Sequence, residues 1–479
     1  MKRVIVGLGA ALAAAFTLCG NPASAVPPAL DADPVGFLRF IETSPSPQAQ
    51  SARREIAAGP AALAHARAEA QKEGIAVFAA QLNPALPPDD RNAAPLYLKL
   101  AQRVHDRSLE APPLSAARDP VQKNLDDSRE IVALLRQATD RPQCVFPPDT
   151  PDDTDDTRFH LSSPIWFQQR IALRRWGHEL EGEAVLQAKQ SRYAEAVATD
   201  ARAYRVAEHA ASDPTLFSLL VAEDIDAAVT GGMQEILTLA GPNAAVDAQV
   251  GRAVTDKAPR LSLRHALSGQ VASVDASFSL LRRDGPGTLV GLFSMQWSAP
   301  RLVEKGFTPE EKHFYSDLLD AAEAEVIQQM RPVVRAPDLP DGAAEAAVEA
   351  PARRVPPPPT DDLVHEVARH MSPLPYVLVN VRPARAAASH SITRAAAAVL
   401  AARAKTGAYP ATLPGRFPDP YDPARQIGYR REGAGGFVVY SVGPGGKYDG
   451  AEPVDPRALY QAGFRFRYPS APASSAGGK

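Results

Sequence analysis

The chain has 479 residues, with 52 Lys and Arg against 55 Asp and Glu, and its formal net charge is −3. This near balance argues against nucleic acid or an anionic membrane as the main partner. The length allows two or three hydrophobic cores, and the 46 prolines predict that the chain is divided into many short segments.

The first residues carry the three parts of a secretory signal peptide. Lys2 and Arg3 are followed by an apolar stretch from Val4 to Leu18 and by the small-residue sequence Ala23-Ser24-Ala25. We therefore predict a signal peptide over residues 1–25 and a mature protein that is periplasmic or secreted.

The chain has two cysteines, Cys19 and Cys144, and their positions limit which disulfides and metal sites can form. A lipoprotein signal at Cys19 is an alternative, but Leu18 stands where such signals carry a small residue. Cleavage after residue 25 leaves Cys144 as the one cysteine of the mature chain, which excludes an intramolecular disulfide and a cysteine-rich metal site.

No later segment has the run of about 20 apolar residues that spans a bilayer, so we predict no membrane span in the mature chain.

Helix starts are marked by the same chemistry at several places. Asp33-Pro34, Asp119-Pro120 and Asp213-Pro214 each place a potential N-cap carboxylate before a proline, which is tolerated at the first helical position. Thr308 and Glu311 have the spacing of a capping box. Each of these sequences therefore predicts the start of a helix.

Apolar residues recur at helical spacing in the same region. Three stripes are Leu173, Trp176, Leu180 and Ala184; Tyr193, Val197, Ala201 and Tyr204; and Phe314, Leu318, Ala322, Val326 and Met330. Residues spaced in this way share one helix face, so we predict that they form core. A break at Gln190-Ser191-Arg192 predicts an antiparallel hairpin of the first two helices, and residues 26–330 are assigned to one helical domain.

The composition changes to Pro, Ala and Glu after residue 330 and ends in Pro356-Pro357-Pro358-Pro359. Such a segment buries too little apolar surface to order itself, so residues 331–360 are predicted to be a linker. Residues 361–469 form a second predicted domain, and the polar residues 470–479 form a disordered tail.

The second domain begins with a helical region from Asp361 to Lys405 that prolines interrupt. Two short strands are then predicted, Ile427–Arg430 and Gly436–Tyr440, around the turn Glu432–Gly435. The predicted fold class is mainly α, with helical hairpins or a bundle followed by a small α+β C-terminal domain.

Short motifs follow the helix of the second domain in a fixed order. They are Ala401 to Lys405 at the helix end, Thr406-Gly407-Ala408-Tyr409-Pro410, Asp419-Pro420-Tyr421-Asp422-Pro423, Tyr429, and Tyr440-Ser441-Val442-Gly443 continuing to Asp449-Gly450. This order resembles the C-terminal domain of the major pseudopilin of type II secretion over residues 385–455. The resemblance implies a helix, a G-x-Y-P turn, a D-P loop, a small antiparallel sheet and a Y-S-x-G loop.

The rest of the chain departs from a pseudopilin, which begins with a long apolar assembly helix. A large helical region and a linker stand there instead, so we do not predict a pilus subunit. The layout is similar to exported bacterial proteins in which a helical region precedes a pseudopilin-like end. Asn92–Tyr97 and Asp213–Leu216 resemble recurring stretches of those proteins, and this resemblance implies no particular activity.

The pseudopilin resemblance also implies a candidate calcium loop. Asp449, Glu452 and Asp455 offer the hard oxygen ligands that calcium requires, but Gly445 stands where many similar sequences have an Asp. Spaced acids in a loop are more often solvated, so no metal or cofactor is assigned to the chain.

The sequence contains no complete local catalytic motif. The histidines of His365-Glu366-Val367-Ala368-Arg369-His370 are one position too far apart for a zinc-protease helix and point about 140° from each other. The acidic loop Asp149–Thr157 lacks the Gly and the closing Glu of an EF-hand, and there is no P-loop or G-x-S-x-G elbow. No catalytic, cofactor-binding or metal-binding residue is therefore predicted.

Two functions remain open at this point. The first is a non-catalytic envelope scaffold or protein-interaction module whose partner is another envelope or exported protein, with a possible link to a secretion-type assembly. The second is an envelope hydrolase with a site between helices, which requires that His178, His209 or His265 meets an acid and a serine in a pocket, since triads are defined by geometry.

Overall fold

A computed structural model describes residues 47–78, 85–107, 129–146, 164–259, 261–284, 308–335, 383–443 and 465–469, with a few single residues between these ranges. In these residues the chain is mainly helical, with a small antiparallel sheet region near the C-terminus. The predicted signal peptide, the acidic loop, the proline-rich part of the linker, the calcium loop and the tail lie outside the described residues.

The described elements are helices until the C-terminal strands. The helices are α1 Pro47–Ala57, α2 Gly59–Lys72, α3 Ala94–Arg107, α4 Arg129–Thr139, α5 Pro164–Lys189, α6 Tyr193–Ala211, α7 Leu216–Ala240, α8 Ala244–Asp256, α9 Leu263–Asp284, α10 Pro309–Arg335 and α11 Pro383–Thr406. The strands are β1 Pro418–Asp419, β2 Asp422–Gln426, β3 Gly428–Glu432, β4 Gly436–Tyr440 and β5 Arg465–Tyr468. None of the described helices has the length and apolar character needed to cross a membrane.

The predicted hairpin of α5 and α6 is confirmed, and its turn has a simple cause. Helix α5 ends at Lys189, and Ser191 adopts a φ of 63°, a left-handed conformation that stops a helix. The predicted stripe of α5 is buried along its length, from Leu173 through Trp176 to Ala184. The two helices therefore pack as the periodicity predicts.

One predicted cap is confirmed and another is wrong. At the start of α10, Thr308 N donates to Glu311 Oε2 at 2.7 Å and Glu311 N donates to Thr308 Oγ1 at 3.2 Å, which is a capping box. At α7, however, Thr215 is the N-cap and its Oγ1 accepts from Ser218 N, while the Asp213 carboxylate is bound elsewhere. The side chain of an arginine from α5 holds that carboxylate, so Asp213 does not cap the helix.

The buried apolar residues form two clusters, which we call the first core and the second core. The first core is built from α3 to α8, α11 and the sheet, and Trp176, Tyr204 and Phe437 are among its largest buried side chains. The second core is built mainly from α1, α2, α9 and α10, and Phe278 is its largest fully buried side chain. Helix α7 contributes to both cores, so it joins them.

The core does not follow the predicted division into a helical domain, a linker and a separate C-terminal domain. Helix α10 continues to Arg335, and Val333 and Val334 are buried, so the first residues of the predicted linker belong to the second core. The C-terminal helix α11 packs on α7 and α8 inside the first core. Composition alone did not reveal this packing, because α11 is rich in Ala, which allows a close helix approach without large apolar residues.

The C-terminal strands form one three-stranded antiparallel sheet in the order β3-β4-β5 and a two-stranded ribbon of β1 and β2. Strand β4 agrees with its predicted bounds, whereas the other predicted strand is shifted. Ile427 N donates to Phe417 O, so Ile427 continues the β1–β2 ribbon and β3 begins at Gly428. One face of the sheet buries Phe437, whose ring contacts those of Tyr409 and Phe466.

Candidate functional site

Helix α7 is mostly apolar, but three of its polar side chains lie four residues apart on one face. Each of them meets a polar side chain of another helix in the first core: Asp226 Oδ1 and His390 Nε2 are 2.7 Å apart, Thr230 Oγ1 and Tyr204 Oη are 2.9 Å apart, and Gln234 Nε2 donates to Thr393 Oγ1 at 2.9 Å. We call these six residues the polar seam. It joins α7 to α6 and to α11.

The polar seam is largely buried, with Gln234 and His390 partly exposed. The side chains of Asp226 and His390 are 1% and 15% exposed, and the ring of Tyr204 meets that of His390 edge to face with centroids 6.0 Å apart. Burial raises the pKa of Tyr204 well above its ordinary value, and the nearby Asp226 adds to this effect. Since each side chain of the seam is bound by a side chain of another helix, the geometry makes the seam a joint between helices.

Asp200 lies in the same core, and its carboxylate has no hydrogen-bond partner among the described residues. It is fully buried, and both of its carboxylate oxygens lack a hydrogen bond. Burial raises the pKa of Asp200 well above its ordinary value, and Glu181 and Glu235 raise it further. A Cβ on Gly232 would be 2.8 Å from Asp200 Oδ2, so this position of α7 requires glycine.

Three histidines were named for the hydrolase alternative, and His209 is the most buried of them. Its Nδ1 accepts from the Tyr97 hydroxyl at 3.0 Å and its Nε2–H donates to the Arg141 carbonyl at 2.9 Å. This assignment requires the neutral ring, and burial lowers the pKa of His209 to about 4. The histidine therefore fastens α6 to α3 and to the loop after α4.

The other two histidines lie nearer the surface. His178 Nε2 is 2.6 Å from Asp224 Oδ2, and Arg174 binds the same carboxylate. Burial opposes the ionised form, but the hydrogen bonds from His178 and Arg174 lower the pKa of Asp224 to about 2. His265 lies 3.4 Å from a backbone carbonyl. In the part of the chain that the structure describes, none of the three histidines contacts both an acid and a serine.

The second core contains an ion network that links α2, α9 and α10. Glu323 is fully buried and accepts from Arg67 at 2.6 Å and from Arg282 at 2.7 Å. Arg67 also binds Asp275, and Arg282 binds Asp320 at 2.5 Å. Each buried carboxylate therefore has a guanidinium partner, and the network holds three helices together.

The C-terminal ribbon and sheet are joined by a buried carboxylate. Asp419 is fully buried, and its Oδ1 accepts from Ser441 Oγ at 2.8 Å and from Tyr421 N at 3.0 Å. Its Oδ2 accepts from Val442 N at 2.8 Å. The D-P loop and the Y-S-x-G loop that were noted in the sequence therefore meet at this carboxylate.

Of the candidate metal ligands and the cysteine thiol named from the sequence, the thiol of Cys144 lies in the described residues. Within the ranges given above, no group of three or more His, Cys, Asp or Glu is arranged to hold a metal ion. Cys144 is buried, and this burial raises the pKa of its thiol, which opposes formation of the reactive thiolate. The candidate calcium ligands Asp449, Glu452 and Asp455 and the pair His365 and His370 lie outside the described residues.

The polar seam was not predicted, although the sequence contains a pattern that indicates it. Asp226, Thr230 and Gln234 repeat at four-residue spacing in an otherwise apolar helix, which places three polar groups on a buried face. Such groups must find partners, so the pattern predicts a second polar stripe on a neighbouring helix. The identity of that neighbour, α11, depends on tertiary packing.

Comparison with known proteins gives no relative. No family model matches the chain, and neither a curated protein nor a solved structure matches it.

Proposed function

We propose that this protein is an exported, non-catalytic scaffold of the cell envelope. Its helical body holds the pseudopilin-like C-terminal module, residues 383–469, and presents it to another exported protein. The observation that carries the proposal is the packing of α11 inside the first core, because a shared core fixes the module on the body. The predicted signal peptide supports export, and the motif order supports the pseudopilin likeness.

The contacts of α11 support a permanent joint. Gly251 of α8 faces Ala397 of α11, and Ile392 and Leu400 of α11 are fully buried. Small residues at such a crossing let α8 and α11 approach closely. The polar seam fixes the register of α11 against α7 through directional hydrogen bonds. A module that is held in this way meets its partner in one orientation, which lowers the entropic cost of binding.

The internal use of polar side chains supports a contact function over a catalytic one. The buried polar side chains Asp226, Glu323 and His209 are each bound by side chains of other helices. Catalytic groups are instead aimed at a space that a substrate can enter. The alternative of an envelope hydrolase requires a histidine that meets an acid and a serine. Among the described residues, none of the three named histidines does so.

The Asp419 contacts support the likeness of the module to a pseudopilin end. Two of the noted motifs, which are separated by about twenty residues of sequence, meet through one buried carboxylate, as expected if they form one structural unit. Tyr429 Oη also donates to Pro410 O at 2.7 Å, which ties the G-x-Y-P turn to the sheet. The motifs of the sequence therefore pack against one another in the folded module.

Site-specific crosslinking in secreting cells tests the proposed function. A photo-reactive residue replaces Arg431, which is exposed on the module, or Arg54, which is exposed on α1. We expect a discrete adduct with one exported protein from position 431 and none from position 54. Replacing His390 with Ala should weaken the adduct from position 431, because the variant loosens the joint that orients the module.

Two outcomes would contradict the proposal. One is equal crosslinking from both positions, because the module would then have no special role in contact. The other is turnover of an envelope polysaccharide or ester by the purified protein that is lost on a single substitution without loss of folding. The second outcome would replace the scaffold by the hydrolase alternative.

A further inference from the structure

The charges of the chain are unevenly distributed, although their total is close to balance. Residues 383–443 and 465–469, the described part of the module, contain ten Arg and Lys residues and three acidic residues. The whole chain has slightly more acidic than basic residues. The module is therefore basic, and the remainder of the chain is acidic.

Four of these basic residues belong to β2, to β3 or to the segment just before β1, and the two on β3 leave opposite faces of that strand. Arg416, Arg425, Arg430 and Arg431 are all exposed, and we call them the basic edge. Ile427 N donates to Phe417 O, which places the residue after β2 beside the residue after Arg416. Strand β3 lies at one side of the three-stranded sheet, pairing with β4, and carries the other two arginines.

The acidic residues of the described module do little to neutralise the basic edge. Asp419 is fully buried and binds Ser441 and backbone amides. Glu432 binds Arg467 at 2.8 Å and also pairs with Arg430 at 3.5 Å. Asp422 is half-buried, and its Oδ1 accepts from Ala424 N at 3.2 Å. Arg416, Arg425 and Arg431 keep their charge at the surface, where it produces a local positive potential that the net charge of the chain conceals.

We propose that the basic edge is a docking surface for the acidic face of a partner protein, and this inference rests on the proposed scaffold function. Arginine presents a planar fork of donors that binds carboxylates in a bidentate manner, and nine of the ten basic residues of the described module are arginine. Arginine is also enriched at the centres of protein interfaces, whereas lysine is depleted there.

The surface chemistry favours a protein over a lipid bilayer as the occupant. The large apolar side chains that are exposed in the described chain are Leu86 and Leu239, and neither belongs to the module. The described module therefore has no apolar side chain to insert into the acyl region beside its arginines. The arginines can bind the carboxylates of a protein partner without inserting any apolar side chain.

A binding experiment on the full mature chain tests this inference. The probe is a fluorescent oligoglutamate peptide, and its binding is followed by anisotropy at low and physiological salt. We expect the double variant Arg425→Glu, Arg431→Glu to bind at least ~10-fold more weakly, because charge reversal turns attraction into repulsion. The matched control Arg54→Glu, an exposed arginine of α1, should bind as the unchanged chain does.

Three outcomes would overturn the inference. An equal loss of binding in the Arg54→Glu control would show that net charge alone is responsible. Binding to phosphatidylglycerol vesicles or duplex DNA but not to oligoglutamate would assign the edge to a membrane or a nucleic acid. Unchanged oligoglutamate binding by the double variant, together with faster aggregation, would show that the arginines only protect the free side of β3. If the crosslink from position 431 survives any of these, the scaffold function stands and only the acidic nature of the partner is refuted.

Discussion

The two cores each contain a fully buried carboxylate in the middle of a helix, and they accommodate it differently. In the second core, Glu323 is 0% exposed and receives hydrogen bonds from the guanidinium groups of Arg67 and Arg282. In the first core, Asp200 is also 0% exposed, but its oxygens have no such donor and its charged neighbours are acids. Burial is equal, so the two carboxylates differ in their partners, and only Glu323 has donors that compensate the loss of water.

This difference predicts that the two cores respond to pH in different ways. In the second core, Glu323 and Asp320 are paired with arginines, whose guanidinium groups remain protonated at every ordinary pH. The first core contains groups whose proton affinity burial has changed, among them His209, Asp247 and Asp200. The first core should therefore carry most of the dependence of stability on pH.

The largest effect is expected in the second core. Glu323→Gln keeps the shape of the side chain but removes the charge that Arg67 and Arg282 share, so about 3 kcal/mol of unfolding free energy should be lost. Urea unfolding at neutral pH measures this loss. Glu325→Gln on the same helix is the matched control and should change stability little, because Glu325 is only half-buried. Equal losses in both variants would show that the network does not stabilise the core.

Acid should weaken the first core through His209. The pKa of His209 is about 4 in the folded chain and ~6.5 when unfolded, so the stabilisation is complete above pH ~6.5 and is lost as pH falls to about 4. The difference corresponds to about 3 kcal/mol. Thermal unfolding between pH 7 and pH 4 measures it, and His209→Gln should remove that part of the slope. A slope that survives the substitution would assign the acid response to another group.

Asp247 should act in the opposite direction. It belongs to the cap of α8, where its Oδ2 accepts from Asn243 N at 3.1 Å, and burial raises its pKa to about 7. The folded pKa is above the unfolded value, so stability falls as pH rises from about 4 to about 7. Asp247→Asn keeps the acceptor and should gain about 2 kcal/mol at pH 8, after allowance for partial hydration, and almost nothing at pH 4. A pH-independent gain would refute this account.

The smallest effect provides the direct contrast to Glu323. Asp200→Asn removes an ionisable group that has no donor, so it should stabilise the chain by about 1 kcal/mol at neutral pH, with a gain that grows as pH rises. The same carboxylate-to-amide change then has opposite signs in the two cores. Calorimetry at pH 5 and pH 8 gives the comparison, and a loss of stability at both values would mean that Asp200 has a partner that favours its charge.

Local rules predicted a large part of the helical architecture. The turn at Gln190–Arg192, the capping box of Thr308 and Glu311 and strand β4 depend on residues close in sequence, so their chemistry could be read directly. The Asp213 cap failed because Arg170, forty-three residues away, binds that carboxylate. A local rule cannot anticipate such a competitor.

The candidate sites divide in the same way. The basic residues of the module are visible in the sequence, but their clustering depends on how the β1–β2 ribbon meets β3. The polar seam needed the position of α11, since Asp226 and His390 are separated by 164 residues. The histidines named for the hydrolase alternative have other partners in the described residues: His209 binds Tyr97 and a backbone carbonyl, and His178 binds Asp224.

The amino-acid sequence by itself determined the boundaries that depend on a few neighbouring residues, such as the turn after α5, the start of α10 and strand β4, because capping, periodicity and turn chemistry act over that range. Tertiary structure decided that the C-terminal module shares a core with the helical body and that Glu323 has charged partners while Asp200 has none. Those outcomes depend on which distant side chains come into contact once water is excluded. Contact of this kind is a property of the packed chain, and the free energy of a buried charge depends on it more than on the charged residue itself.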